Sequence, residues 1–324
     1  MVKAGFGIGL QSQQEPAATV CRAFVESPQR HQSREHVVAL GPGTNIVITG
    51  GNAGIGLATA QGVARAGGHV ILAVRSLAKG AAAVAAVQAS VPQASVEAMS
   101  LDLASLASIR SFAAALGDRF SALDVLINNA GVTMKDRVLT SDGFEATFGV
   151  NHLGHFALTN LLHDQLAAAS APRVVVVASD AHRFARSGLD FDDLQSETRY
   201  RFMRAYGASK LANILFTREA ARRWSADGLT VNSLHPGFVA TRLGRDGDGG
   251  RIGDIVAPLL KPFAKSPERG AQTSIFLATS PTVEGATGEY YVKCAPKQPS
   301  ARARDDDAAR RLWDASTELV GLGG

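Results

Sequence analysis

Tyr206 and Lys210 stand four residues apart in a stretch, 205–225, whose residue types favour a helix, so their side chains share one helical face. A phenol ionises near pH ~10 and exchanges protons poorly at neutral pH unless a cation stabilises its phenolate. An ammonium one turn away is such a cation. The pair could therefore give a proton to, or take one from, an oxygen of a bound small molecule. Ser179, just beyond the valines Val174 to Val177, is a second group suited to an oxygen. Two readings stand for it: a hydrogen bond to a substrate, or the cap of a turn.

A third group lies far upstream. Ile46, Val47, Ile48 and Thr49 read as a buried strand, Gly50, Gly54 and Gly56 follow, and 57–65 continues with helical character. A strand that turns through glycines into a helix aims unpaired N–H groups at one spot, which suits a phosphate. The spacing is Thr-Gly-x-x-x-Gly-x-Gly rather than the common Gly-x-Gly-x-x-Gly. Gly50, Asn52, Gly54, Ile55 and Gly56 are the candidate phosphate-binding positions. Arg75 stands just past the next expected strand, with no acid beside it. A carboxylate there would bond the ribose hydroxyls of NAD, whereas an arginine can pair a 2′-phosphate. Arg75 is either that partner or a solvated surface charge; the first reading prefers NADP(H), with NAD(H) possible.

These groups need elements to hold them. Apolar runs predict strands at 46–49, 69–74, 95–100, 124–128, 173–178, 230–234 and 288–292. Helices are expected at 57–65, 78–90, 105–116, 144–168, 205–225 and 268–277. The alternation means an α/β protein: a single doubly wound (Rossmann) domain with a mostly parallel sheet of about seven strands. It would occupy 44–324, after a poorly ordered extension, 1–43, with a short helix at 18–25. Two segments break the rhythm, 180–204 and 243–265, each after the C-terminal end of a strand, where open α/β sheets bind ligands. Within the second, 255–263 is apolar, with Lys261 and Lys265, and reads as a packed lid or a shallow membrane contact.

Composition excludes other classes. A formal net charge of +4 on scattered basic residues gives no nucleic-acid stripe. Cys21 and Cys294, the two cysteines, make neither a metal spacing nor a disulfide framework, and no metal is expected. No apolar run is long enough to cross a bilayer, and 1–10 is too short and glycine-rich for a signal peptide, so the expected location is cytoplasmic.

Several motifs occur in a telling order: Thr49, Gly50, Gly54, Ile55 and Gly56; Asp102 and Leu103; Asn128, Asn129, Ala130 and Gly131; Asn151; Ser179; Tyr206 and Lys210; Pro236, Gly237 and Thr241. With them the chain resembles the short-chain dehydrogenase/reductase family over residues 45 to 292. The runs Phe148-Gly-Val-Asn-His-Leu-Gly-His-Phe156, Asp192-Asp-Leu-Gln-Ser-Glu197, Ser209-Lys-Leu-Ala-Asn213 and Leu234-His-Pro-Gly237 are similar to its retinol dehydrogenase-like subgroup. The resemblance implies Tyr206 as acid or base, Lys210 lowering the Tyr206 pKa and holding the nicotinamide ribose, and Ser179 polarising the substrate oxygen. It implies that Asn151 holds a water linking Lys210 to solvent and that Asp102 and Leu103 meet the adenine. Asn129, Ala130 and Gly131 would line the cleft, and Pro236, Gly237 and Thr241 would hold the carboxamide end. The sequence departs from relatives at Ala178, where many carry a second serine, at Asp180, and in showing no N-terminal apolar anchor within 1–43.

Three functions follow as alternatives. One is an NADP(H)-dependent enzyme for a small apolar carbonyl compound or alcohol. Another is a retinol or retinal dehydrogenase in peripheral contact with a membrane. The third is a non-catalytic NADP-binding sensor or scaffold. A homo-oligomer through 144–168 is compatible with each.

Overall fold

The computed structural model describes residue 1, residues 40, 41 and 43–238, and residues 265–323. The features expected at 18–25, Thr241 and 255–263, with nearly all of 243–265, lie outside the described residues.

β1 (Asn45–Thr49) runs through the glycine turn into α1 (Gly54–Arg65), and β2 (His69–Val74), α2 (Leu77–Ser90), β3 (Val96–Ser100) and α3 (Leu106–Gly117) follow. The chain then returns to β4 (Val125–Asn128) on the other side of β1. Beyond the helical region after β4 come β5 (Arg173–Val177), a short 3₁₀ turn (Asp180–Phe184), a long helix (Phe202–Arg223) and β6 (Thr230–His235). The sheet order is β3-β2-β1-β4-β5-β6-β7-β8, with β7 at Tyr290–Val292 and β8 at Ala295–Pro296. All neighbours pair parallel except β7 with β8. The strand order reverses between β1 and β4, and the crevice at their C-terminal ends is where such a sheet takes a ligand.

Both faces of the sheet are covered, which is why its strands lack a polar face. Val47, Ile71 and Leu126 pack toward Phe156, Leu211 and Trp313; Ile46, Ile48, Leu72 and Ile127 pack toward Val63, Val87 and Phe276. The β1 register against β2 and β4 brings Thr49 to the top edge beside Ala73, level with the end of β4. Leu40, placed in the extension by the sequence, already contacts the domain: its N–H donates to Ala66 O at 2.7 Å.

Three expectations are corrected. The single helix expected over 144–168 is broken into α4 (Ala146–Phe148), a π-helical turn (Gly149–Leu153), α5 (Gly154–Leu161) and α6 (His163–Ala167). A Cβ on Gly154 would lie 2.5 Å from Leu103 O, so the helix backbone docks directly on the β3–α3 connection just where the wide turn ends. A helix with no expectation behind it also closes the fold. Numbering the long helix Phe202–Arg223 as α7 and Pro267–Thr279 as α8, this is α9 (Asp306–Leu319), which buries Leu312 and Trp313 against α7. Finally, Cys294 is buried and disulfide-bonded, where the two cysteines were read as making no disulfide framework.

Candidate active site

The nucleotide end of the cleft is closed by bonds within the protein. Gly50 and Gly54 have φ of +65° and +53°, the left-handed region that favours glycine. A Cβ on Gly56 would fall 2.3 Å from Gly50 O and 2.6 Å from Asn129 Nδ2, so no side chain fits there. Thr49 Oγ1 accepts the N–H groups of Asn129 and Ala130, both at 2.9 Å, while Asn129 Nδ2 donates to Thr49 O at 2.8 Å. Asn129 and Ala130 therefore brace the turn. Helix α1 starts after Ala53, which has no side-chain acceptor, whereas Ser76, Ser105, Ser266 and Asp305 cap α2, α3, α8 and α9. The first N–H groups of α1 are left for solvent or an anion, and a pyrophosphate fits both their chemistry and the glycine cradle.

Other predicted cofactor residues divide. Arg75 is exposed at the end of β2, and Asn52 is partly exposed in the turn. Asp102 turns one oxygen to its own chain, accepting from Ala104 N at 2.9 Å, and Leu103 is buried. Gly131 lies between catalytic candidates: a Cβ there would be 3.4 Å from Asn151 Oδ1 and 3.5 Å from Lys210 Nζ. Gly237, with φ of +89°, would bring a Cβ to 2.7 Å from Lys265 Nζ. Pro236 is partly buried beside it.

Asn151 sits in the π turn, a feature that recurs at functional sites because it displaces one residue from the helical ladder. Its amide is wholly engaged. Oδ1 accepts Val132 N–H at 2.7 Å, and Nδ2 donates to Val132 O at 2.9 Å and Ser209 Oγ at 3.0 Å. The side chain thus pins the loop after β4 to α7.

The remaining three groups converge from β5 and α7. Ser179 begins the 3₁₀ turn, accepting Ala181 N–H at 3.1 Å, and its hydroxyl faces the Tyr206 phenol closely enough to favour the phenolate. Lys210 Nζ donates to Val177 O at 2.9 Å and lies 5.8 Å from the Tyr206 ring centroid. Burial lowers the Lys210 pKa to about 8. Burial also raises the Tyr206 phenol above its usual range, with the Ser179 hydroxyl only partly opposing it. Desolvation of the phenol thus outweighs any lowering by Lys210, whose ammonium is engaged by Val177 O. At neutral pH the geometry presents a protonated phenol beside a protonated amine.

Asp180, the extra charge, is held on the sheet side. Tyr290 Oη donates to its Oδ1 at 3.1 Å, and His235 Nε2 lies 3.6 Å from its Oδ2. Sequence reasoning missed His155, His182, His235 and Tyr290 as supports of the site. His182 Nδ1 donates to Ser179 O at 2.7 Å and its Nε2 accepts Ser300 N–H at 3.1 Å. The available signal was spacing: His182 stands three residues after Ser179, His155 four after Asn151, and His235 directly before Pro236. Near these groups, Phe184, Met203 and Phe238 are exposed by 50%, 41% and 55%, and Met203 is one helical turn before Tyr206.

A doubly wound sheet, a glycine turn at its switch point and a serine–tyrosine–lysine cluster beside it define an oxidoreductase of alcohols and carbonyls. The short chain dehydrogenase family profile matches residues 44–190 and 193–248. Retinol dehydrogenase 13 of Homo sapiens is 45% identical over 285 residues, covering 87% of this chain and 86% of that one. The crystal structure of an uncharacterized protein from Mycobacterium paratuberculosis superposes with a TM-score of 0.69 at 35% identity, over 88% of this chain and 96% of that one. The Pseudomonas aeruginosa RhlG/NADP complex gives a TM-score of 0.61 at 26% identity, over 78% and 95%. The chain belongs to the short-chain dehydrogenase/reductase family, within its retinol dehydrogenase-like subgroup. Among the described residues no helix is long and apolar enough to cross a membrane.

Proposed function

We propose that the protein transfers hydride between NADP(H) and an apolar aldehyde or ketone, or the corresponding alcohol, with Tyr206 as acid or base. The observation that carries the reading is the convergence of Ser179 and Tyr206 with Lys210 Nζ, 5.8 Å from the Tyr206 ring centroid, at the end of β5 beside the nucleotide turn. A bound nicotinamide supplies the hydride in reduction and receives it in oxidation. Tyr206, protonated at neutral pH, gives its proton to the carbonyl oxygen in reduction, and Ser179 hydrogen-bonds the same oxygen. In oxidation the phenolate takes the alcohol proton, and the Lys210 charge favours that phenolate. Lys210 has three N–H donors and Val177 O takes one, which leaves two for the nicotinamide ribose.

The N–H groups at Gly50, Asn52, Gly54, Ile55 and Gly56 would hold the pyrophosphate and Arg75 the 2′-phosphate. Asp102 and Leu103 would flank the adenine, Asn129 to Gly131 would wall the cleft, and Pro236, Gly237 and Thr241 would take the carboxamide. The NADP in the RhlG complex supports this choice of cofactor. The exposed apolar side chains Phe184, Met203 and Phe238 support an apolar substrate. A second reading, retinal or retinol as that substrate, is favoured by the 45% identity to a protein named a retinol dehydrogenase. The start of the family match at residue 44 supports a domain of 44–324 after an extension of 1–43. The proposed location remains the cytoplasm, on the apolar-run argument from sequence.

A panel of apolar aldehydes, ketones and retinal, run with NADPH and with NADH, tests the reading. NADPH-dependent turnover is expected. Arg75→Ala should raise KM for NADPH about tenfold or more, the worth of one charge-assisted contact, and leave NADH nearly unchanged. Equal losses with both cofactors would make Arg75 a surface charge.

A further inference from the structure

One buried ionisable group near the site has no role in the proton transfer. His155 is 3% exposed and lies between the two ends of the cleft. Its Nδ1 is 3.1 Å from Asn151 O in the π turn, and its Nε2 is 2.8 Å from Thr49 Oγ1 at the end of β1. We infer that His155 is a positioning residue, a neutral Nδ1–H imidazole that locks the Asn151 turn to the nucleotide turn. The inference rests on the roles proposed above for Tyr206, Lys210 and the glycine turn.

Hydrogen-bond accounting selects one tautomer. A backbone carbonyl can only accept, so Nδ1 must carry the proton toward Asn151 O. Thr49 Oγ1 already accepts two N–H groups, from Asn129 and Ala130. Both its lone pairs are then in use, so its own proton must go outward. The nearest acceptors are His155 Nε2 at 2.8 Å and Ile127 O at 3.4 Å, and the imidazole is the better placed. An Nε2–H tautomer, or an imidazolium, would set a donor against a hydroxyl with no lone pair left. Only the neutral Nδ1–H form satisfies every atom of the chain Asn151 O, His155, Thr49, Asn129 and Ala130.

The surroundings agree. Burial lowers the His155 pKa to about 4, and the nearby Lys210 charge pushes the same way, against the Asn151 carbonyl bond. Of the facing ionisable groups, Lys210 disfavours a second proton here, and His152 is itself neutral. The backbone of His155 is fixed too: Thr159 Oγ1 donates to His155 O at 2.7 Å, and Asn128 Nδ2 donates to Thr159 Oγ1 at 2.8 Å. The link thus runs from the end of β4 through α5 to both functional turns. It makes the positions of Lys210, held by the Asn151–Ser209 bond on α7, and of the nucleotide turn depend on each other.

Two near-isosteric variants of the full chain separate the halves of the link. His155→Asn can keep a donor near the Nδ1 position and loses the acceptor for Thr49. His155→Gln can keep an acceptor near the Nε2 position and loses the donor to Asn151 O. With NADPH as probe, His155→Asn is expected to weaken binding about tenfold while kcat at saturation stays within about threefold. His155→Gln is expected to keep NADPH affinity within about twofold while kcat falls about tenfold. A role in packing alone would lower Tm in both variants and produce no such split. Imidazole ¹⁵N shifts of the wild-type protein, with the His155 signal assigned by its loss in His155→Asn, supply a readout independent of turnover. A protonated Nδ1 and bare Nε2 from pH 8 to pH 5 are expected. An Nε2–H tautomer, a titration near pH 6.5, or equal NADPH losses in the two variants would overturn the inference. If the wild type reduces no carbonyl but the tautomer and the NADPH split hold, the positioning role stands and the proposed reaction falls.

Discussion

At the nucleotide end of the cleft, Thr49 holds two backbone N–H groups, Asn129 holds Thr49 in return, and a Cβ on Gly56 would collide with Gly50 O. At the substrate end, Tyr206 is half-buried, Ser179 meets it through one hydroxyl, and Phe184, Met203 and Phe238 leave much of their apolar surface open. In the first region the turn's own side chains and backbone are tightly bonded, and the first N–H groups of α1 stay open. The second keeps polar groups and apolar surface available. A ligand that is always the same can be met by backbone geometry, whereas a substrate is met by side chains that tolerate variation. The polar groups of the second region are also held at a cost: Lys210 is 3% exposed yet must stay charged to assist the phenol.

The contrast makes ranked predictions. The largest effect should come from Gly56→Ala, because the obstacle is backbone and cannot swing aside. NADPH binding is expected to be lost and Tm to drop, while Gly131→Ala, whose Cβ meets only ordinary contacts at 3.4 Å and 3.5 Å, should fold normally. Equal tolerance of both, read by thermal unfolding and NADPH titration, would break the picture of a closed nucleotide end.

Lys210→Met should act in the opposite sense on stability. The amine pKa falls from 10.5 to about 8 on folding, so below pH ~8 the folded state carries the full cost of a buried charge. That cost is on the order of 3 kcal/mol, reduced by about 1 kcal/mol for the bond to Val177 O that methionine cannot make. The variant should therefore melt higher than the wild type at pH 7 while losing turnover, and the gap should shrink as pH rises from 8 to 10.5. A lower Tm would mean that the ammonium contributes net stability.

The last effect is a slope with pH. His152 and His155 are buried and neutral, with pKa values lowered to about 3 and about 4 by desolvation. Unfolding restores values near 6.5, so the unfolded state binds protons first as the pH falls. Stability is fully present above pH ~6.5 and should fall by about 1.4 kcal/mol per pH unit for each histidine between pH ~6.5 and pH ~4.5. Denaturant unfolding at pH 7, 6 and 5 measures it, and a flat profile would place protonated histidines in the folded core.

Legibility in the sequence follows the same division. The glycine turn, Arg75 and the alternating apolar runs could be read because strand, turn and helix each leave local composition signals at 45–75. Tyr206, Lys210 and Ser179 were readable for a chemical reason, since their spacing places them at the end of β5 and on one face of α7. The break at Gly149–Leu153 was not, because apolar residues recur through 144–168 at a helical rhythm, while the close approach of Gly154 to Leu103 O where the wide turn ends is a contact made only in the fold. The histidines escaped for another reason. His155 and His182 act through partners that come together only in the folded protein, the Thr49 hydroxyl 106 residues away and the Ser300 N–H 118 residues away. The depressed lysine and raised phenol likewise depend on burial, which residue types alone do not disclose.

The proton transfer at Tyr206 is tested most directly by Tyr206→Phe, assayed with NADPH and a carbonyl compound that the wild type reduces. The ring packing is kept and only the hydroxyl is removed. NADPH should bind within about twofold of wild type while kcat falls by about 10²- to 10⁴-fold, the usual worth of a positioned acid. A variant that reduces the same compound at the wild-type rate would contradict Tyr206 as the proton donor.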